Sequence, residues 1–373
     1  MNRPASAEAL QRLAEAPLRP PPMAVPKLPA GGKLLPFLHG EEFVRGFIPP
    51  DYLIDGILQK GFIYSNTGQT GAGKTAIALR IALSIGDGRD LGDRLVKQGR
   101  VLFCAGENPD DIRMRWIAMA AVMNFDPAEV DVYFLDGAVK ISETEGAIRA
   151  KMEAVGSFEC VVIDTSAAFY EGADENDNVA MLAHARRLRS LTTLPGKPTV
   201  LVNCHPVKNA AADNLLPRGG GSFLNEMDGN LTSAKKEEIS ELHWQGKFRG
   251  PDFSPIAFKL QPVKTPTLID SKGRQVPTVA AEPITASEKT EMELTARNDE
   301  DAVLLMMDRH DGASLSTIAE LLGWLDGGGK AYKVKVQRIV KSLARDRLTK
   351  LERKNWIVTD KGHATAKKLL RAA

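Results

Sequence analysis

Gly68, Gly73, Lys74 and Thr75 stand at the spacing G-x-x-x-x-G-K-[ST], in the run GQTGAGKT. Glycines at these places let backbone N–H groups close around a polyphosphate, while a lysine reaches its outer phosphates and a hydroxyl ligates Mg²⁺. Thr70, Gly71 and Ala72 fill the loop, and a helix starting there would add the positive end of its dipole. The apolar run Phe62-Ile63-Tyr64 predicts a strand before the loop, and the apolar spacing from Thr75 to Ser84 predicts a helix after it. The pattern implies a site for a nucleoside triphosphate such as ATP, with Mg²⁺.

Further polar residues fall where apolar runs end. Asp164 closes Cys160-Val161-Val162-Ile163, which puts a carboxylate where it could hold Mg²⁺ beside Thr75. Many strands end in Asp merely as a helix cap, and the phosphate loop favours the metal role. Glu107 follows the run Val101 to Ala105; it reads either as a loop acid beside a helix start at Asn108-Pro109-Asp110 or as a carboxylate that orients an attacking water. His205 closes the run after Asp164 and is either structural or a sensor of the outer phosphate. The long Gly-rich loop Pro206 to Phe223 carries Lys208 and Arg218, a composition suited to a segment that approaches a phosphate backbone. Lys247 and Arg249, in Gly246 to Gly250, read from sequence alone as solvated hairpin cations.

The elements that must position these groups alternate. Strands are expected over Val101–Ala105, Val132–Leu135, Cys160–Ile163 and Thr199–Asn203, with helices over Asp110–Met123, Glu143–Val155 and Asn178–Leu191. That alternation predicts an α/β fold with a mostly parallel sheet, whose ligands lie at the carboxyl ends of the strands. Asn230 to Leu260 reads as antiparallel strands at a sheet edge, and Thr267 to Val279 as a further hairpin.

The 373 residues allow two domains, and 43% hydrophobic with 26% charged residues is ordinary for a globular chain. Residues 1–40 are Pro-rich and expected as a flexible arm, 41–279 as the nucleotide-binding domain, 280–298 as a polar linker, and 299–373 as a second domain. The net charge of +2 hides an asymmetry: 14 basic and 3 acidic residues lie from Lys330 onward. Three helical segments and a basic two-stranded ribbon there follow the order of a winged helix-turn-helix, with Lys333, Lys335, Arg338 and Lys341 on the third helix. Such domains bind DNA or dock proteins, and the local charge favours DNA. Cys104, Cys160 and Cys204 lack metal-ligand spacing and read as buried thiols of a reducing compartment. No apolar stretch reaches membrane-spanning length, so a cytoplasmic protein is expected.

From Pro49 to Leu260 the chain resembles the RecA-like hexameric P-loop ATPases, specifically the plasmid and phage RepA-like replicative helicases. The resemblance rests on GQTGAGKT (Gly68 to Thr75), AGENP (Ala105 to Pro109), VVIDT (Val161 to Thr165), His205, the Arg218-Gly-Gly-Gly-Ser222 loop and Lys247-Phe-Arg249-Gly250. It implies Glu107 as general base, Asp164 as the Mg²⁺ carboxylate, His205 as γ-phosphate sensor, and Lys247 and Arg249 as fingers reaching a neighbouring subunit's ATP. It further implies a hexameric ring moving on single-stranded DNA, in replication or recombination; the tail lies outside the shared core, and its basic charge adds double-stranded DNA as a further expected partner. The loop has an extra glycine where that family more often runs Arg-Gly-Ser, which leaves Arg218 open between DNA and the neighbour's phosphate. An ATP-gated DNA-binding regulator or loader that unwinds nothing would keep the same site residues. A small-molecule kinase is disfavoured because no acceptor pocket is recognisable.

Overall fold

The computed structural model describes residues 37–372 apart from residues 176 and 212. The Pro-rich arm lies outside the described residues up to residue 36. Its last part leads into a short helix, α1 (Gly40–Val44), followed by a small ribbon of β1 (Tyr52–Ile54) and β2 (Leu58–Gln59). The main sheet then forms from β3 (Ile63–Thr67), β4 (Val101–Ala105), β5 (Val132–Asp136), β6 (Cys160–Asp164), β7 (Thr199–Cys204), β8 (Gly229–Lys236), β9 (Ile239–Phe248), β10 (Ile256–Val263) and β11 (Thr278–Ile284). Across the sheet the order is β11-β10-β9-β8-β3-β7-β6-β4-β5.

The part from β8 to β5 is parallel, and β8 to β11 runs antiparallel. Strands β3, β6 and β7 are buried along their whole length, as expected where helices cover both faces. One face carries α2 (Lys74–Asp87) and α3 (Pro109–Met123), packed through residues such as Ile77, Ile81, Trp116 and Met119. The other carries α4 (Ile141–Val155), α5 (Asn178–Ser190) and α6 (Gly220–Glu226), packed through Met152, Met181, Leu188 and Phe223. Local chemistry sets the boundaries of α3. Asn108 accepts the Asp111 amide at 3.1 Å, Pro109 opens the first turn, and Asn124 ends the helix in the left-handed region. The three cysteines are buried and free, and burial pushes each thiol up to about 12.

Two expectations are corrected. Residues 280–298 are not a linker: β11 pairs with β10 from Thr278 to Ile284, and a single helix α7 (Ala286–Arg309) follows at once. Its start is fixed by Thr285 and Glu288, which cap each other's backbone, a Thr-x-x-Glu signal visible in the sequence. The segment Thr267 to Val279 is not a pair of strands but a turn closed by one bridge, Ile269 to Gln275, before β11.

After α7 come α8 (Leu315–Leu321), α9 (Lys333–Arg345), a hairpin of β12 (Thr349–Glu352) and β13 (Asn355–Val358), and α10 (Asp360–Ala372). These share their own apolar cluster, built on Val303, Leu304, Ile318, Val336, Val340 and Leu343. Among the described residues no helix is long and apolar enough to cross a membrane.

Candidate functional site

The loop between β3 and α2 is folded by its glycines. Gly73 has φ +89° and caps α2, and a Cβ there would stand 2.7 Å from a Leu260 methyl on β10. Gly68 lies under β8, where a Cβ would be 2.5 Å from the Ser233 carbonyl. Only glycine lets the backbone turn this tightly and lie this close to the sheet. Thr70 and Gly71 are exposed, and Ala72 is buried. Lys74 is buried; its ammonium donates to the carbonyls of Gly68 (2.8 Å) and Gln69 (3.2 Å) and so stays inside the loop. Burial lowers the Lys74 pKa, against the pull of Asp164 and Glu107.

Asp164 ends β6 directly across from this loop. The Thr75 hydroxyl donates to its carboxylate at 3.0 Å, and the Asn203 amide donates at 2.8 Å. Burial raises the Asp164 carboxyl above the ordinary range, while the bonds from Asn203 and Thr75 pull it back down. One hydroxyl and one carboxylate are the hard oxygen donors that Mg²⁺ takes. No group of three or more His, Cys, Asp or Glu among the described residues could hold a metal. The donor set therefore fits Mg²⁺ that brings its remaining ligands from water and phosphate, and it does not fit an all-protein cage.

Glu107 is exposed at the rim, fixed through its backbone: the amides of Gly106 and Glu107 both donate to the Asp164 carbonyl, at 2.8 and 3.3 Å. Its charge is felt by Lys74, Asp164 and His205, so all four groups share one rim. His205 follows β7 half-buried, and burial, then Lys74, lowers its pKa. It lines a small niche with Ser166, Tyr170, Glu175 and Arg218. Arg218 pairs with Glu175 at 3.2 Å, and Lys208 is exposed.

Lys247 and Arg249 are not at this rim. Lys247 donates to the carbonyls of Leu224 and Asn225 at the end of α6, and Arg249 pairs with buried Asp228 at 3.1 Å. Asp228 also accepts the amide of Ile63, the first residue of β3. These cations thus lie at the amino end of β3, roughly 17 Å of strand from the phosphate loop. In α9, Lys333 and Lys341 are exposed, but Lys335 and Arg338 do not join them as free cations. Lys335 pairs with Asp299 at 2.7 Å and lies 3.8 Å from the Trp324 ring centre, and Arg338 pairs with Glu238 at 2.9 Å in the β8–β9 turn.

Sequence reasoning missed a buried polar layer beneath the site. Asn66 and Asn203 stand opposite each other in β3 and β7. Asn230 takes the hydroxyls of Ser65 and Thr67 and donates to the carbonyls of Leu215 and Gln245. Asn203 near the end of the apolar run Val200-Leu201-Val202 was the available signal.

Residues 36–211 match the model of the AAA domain. No curated protein matches the chain. Among solved structures, the KaiC-like protein PH0186 from the hyperthermophilic archaeon Pyrococcus horikoshii OT3 is 16% identical, with a TM-score of 0.41, over 62% of this chain and 95% of its own. The ATPase domain of G40P is 15% identical, with a TM-score of 0.42, over 58% of this chain and 85% of its own. The AAA-domain match spans the phosphate loop, Glu107 and Asp164, and those residues meet at the carboxyl ends of a parallel sheet.

Proposed function

We propose that the protein is an ATP-dependent DNA translocase of helicase type, built from copies of this chain arranged head to tail. The observation that carries the proposal is the position of Arg249 and Lys247 at the opposite end of β3 from the chain's own phosphate loop. There they are out of reach of the phosphates that Lys74 serves, and a neighbouring copy could receive them.

In this mechanism the loop amides and Lys74 bind and orient the β- and γ-phosphates, and Glu107 directs a water at the γ-phosphate. Thr75 and Asp164 would hold Mg²⁺, which would supply neutralisation of phosphate charge. Arg249 of the adjoining copy stabilises the charge that develops on the transferring group. His205 senses the γ-phosphate and passes its presence to the following loop, where Lys208 and Arg218 grip single-stranded DNA. The C-terminal helices and hairpin act as a winged helix that adds DNA affinity through Lys333 and Lys341.

ATP hydrolysis with and without single-stranded DNA, alongside sizing with a non-hydrolysable ATP analogue, tests the proposal. Stimulation by DNA and ring-sized particles are expected. Unstimulated turnover by a monomer or dimer refutes the motor. Strand separation then distinguishes it from an ATP-gated regulator, which would hydrolyse ATP and bind DNA without unwinding.

A further inference from the structure

Asp164 can serve a metal only if its carboxylate is held in one orientation, and the structure contains a device that does this from beneath the site. The Asn203 amide donates to Asp164 Oδ1 at 2.8 Å. Asn203 Oδ1 accepts from the Asn66 amide at 2.8 Å, and Asn66 Oδ1 accepts from the Ser233 hydroxyl at 2.8 Å. Asn66, Asn203 and Ser233 are each fully shielded from solvent. The bonds cross four neighbouring strands, β8, β3, β7 and β6.

The chemistry of the chain permits only one direction. An ionised carboxylate accepts and cannot donate, so Asn203 must turn its NH₂ to Asp164 and its carbonyl to Asn66. Asn66 must then present its own NH₂ to Asn203 and its carbonyl to Ser233, whose hydroxyl must donate. Flipping any one amide would break two buried bonds. The far end of the relay is anchored too, because the Ser233 carbonyl lies against Gly68, where a Cβ would be 2.5 Å away. The Thr75 hydroxyl, on the side of the phosphate loop, reaches Oδ2 at 3.0 Å and Oδ1 at 3.2 Å.

We propose that Asn203 is a positioning residue for Asp164, and that Asn66 and Ser233 hold it in register, so that the relay fixes the direction of the oxygen offered to Mg²⁺. This rests on the reading of Thr75 and Asp164 as the metal donors. It concerns buried residues that act through Asp164.

Binding of a fluorescent ADP analogue, measured in EDTA and across a Mg²⁺ titration, tests it without relying on turnover. Outer-sphere partners of metal ligands are worth roughly 10- to 100-fold in metal affinity. Asn203→Ala is expected to raise the half-saturating Mg²⁺ concentration by about tenfold or more. Asn66→Ala, one bond further out, should raise it by about three- to tenfold with the EDTA affinity unchanged. Ser233→Ala removes a single hydroxyl and decides the matter if the asparagine variants do not fold; it should shift Mg²⁺ dependence in the same direction, by less. Folded variants with wild-type Mg²⁺ dependence overturn the proposal, as does an equal loss of affinity with and without Mg²⁺, which marks general damage to the pocket. A wild-type protein whose ADP affinity ignores Mg²⁺ overturns the metal reading itself, and the inference with it.

Discussion

Replacing Arg249 by alanine separates the two ends of the sheet. The guanidinium is 62% exposed, and Asp228 keeps the Ile63 amide at 3.0 Å and the Arg189 guanidinium at 3.2 Å after it is gone. The lost ion pair should therefore cost only about 0–1 kcal/mol of stability, and the melting temperature should fall by at most a few degrees. ADP affinity should hold, because the P-loop of the same copy is untouched. Hydrolysis, by contrast, should fall by about 10³- to 10⁵-fold, the range for an arginine finger supplied in trans, equivalent to about 4–7 kcal/mol of barrier. The decisive assay mixes Arg249→Ala with Glu107→Gln. The first keeps a complete rim and lacks the finger; the second keeps the finger and lacks the base. In a head-to-tail ring mixed at equal ratio, about one interface in four joins an intact rim to an intact finger, so about a quarter of wild-type turnover should return. Normal hydrolysis by Arg249→Ala alone would remove the residue from catalysis. A dead variant that no mixing revives would place its action within its own copy, against the reading that the cations serve a neighbour.

Glu107→Gln alone should bind nucleotide and melt as the wild type does, since its side chain is exposed, yet turn over about 10²- to 10⁴-fold more slowly; normal turnover would exclude it as base. Gly73→Ala forces a side chain into φ +89° and within 2.7 Å of Leu260, so the nucleotide-induced rise in melting temperature should vanish, and a retained rise would show that the loop tolerates the strain. His184 is buried against the Ser166 hydroxyl at 3.0 Å, and burial, then Arg187, pushes its pKa down from 6.5 to about 4, with Glu171 opposing. Because the folded state resists the proton that the unfolded chain takes up, its stability contribution is complete above about pH 6.5 and is lost as the pH falls toward 4, by about 3 kcal/mol. Thermal melts across that window should fall more steeply for wild type than for His184→Gln, and parallel curves would refute the assignment. Ending the chain after Ile284, which leaves β11 in its sheet and removes α7 whole, should weaken DNA binding and flatten its salt dependence; unchanged binding would favour a docking role for the tail.

What the sequence disclosed followed its local patterns. Val101 to Ala105 is a strand from end to end, and Cys160 to Ile163 extends only to Asp164, because short continuous apolar runs bounded by Gly106 and by a carboxylate leave little choice of element. Lys74, Thr75 and Asp164 were legible from local pattern alone, the first two at the start of the helix after the phosphate loop and Asp164 at the end of a strand. The segment 280–298 was not, for two physical reasons. Strand β11 is an edge that pairs on one side only, so its alternation is weak, and the first half of α7 buries nothing, its buried residues being Val303, Leu304 and Met307. Asn66, Asn203 and Ser233 were illegible for another reason. The two partners of Asn66 lie 137 and 167 residues along the chain, so no local pattern shows that these polar side chains meet. Lys335 and Arg338 were misread in the same way, as their acids Asp299 and Glu238 are close only in the fold.

Strand β9 joins the two ends of the sheet. Near its start the Ser240 hydroxyl donates to the Ala72 carbonyl of the phosphate loop at 2.7 Å, and Leu260 on the neighbouring β10 covers Gly73. At its far end Gln245 accepts the Leu215 amide at 2.6 Å, which anchors the loop after His205, and Lys247 caps α6. One strand therefore touches the phosphate loop, the DNA-loop candidate and the cations aimed away from the site. In a head-to-tail assembly, drawing Lys247 toward a neighbour's phosphates would uncap α6 in its own copy and loosen the segment that begins at Gly219. Occupancy of one site would then bear on the loop of the adjoining subunit through a rod of backbone hydrogen bonds, with no long-range rearrangement of the sheet required.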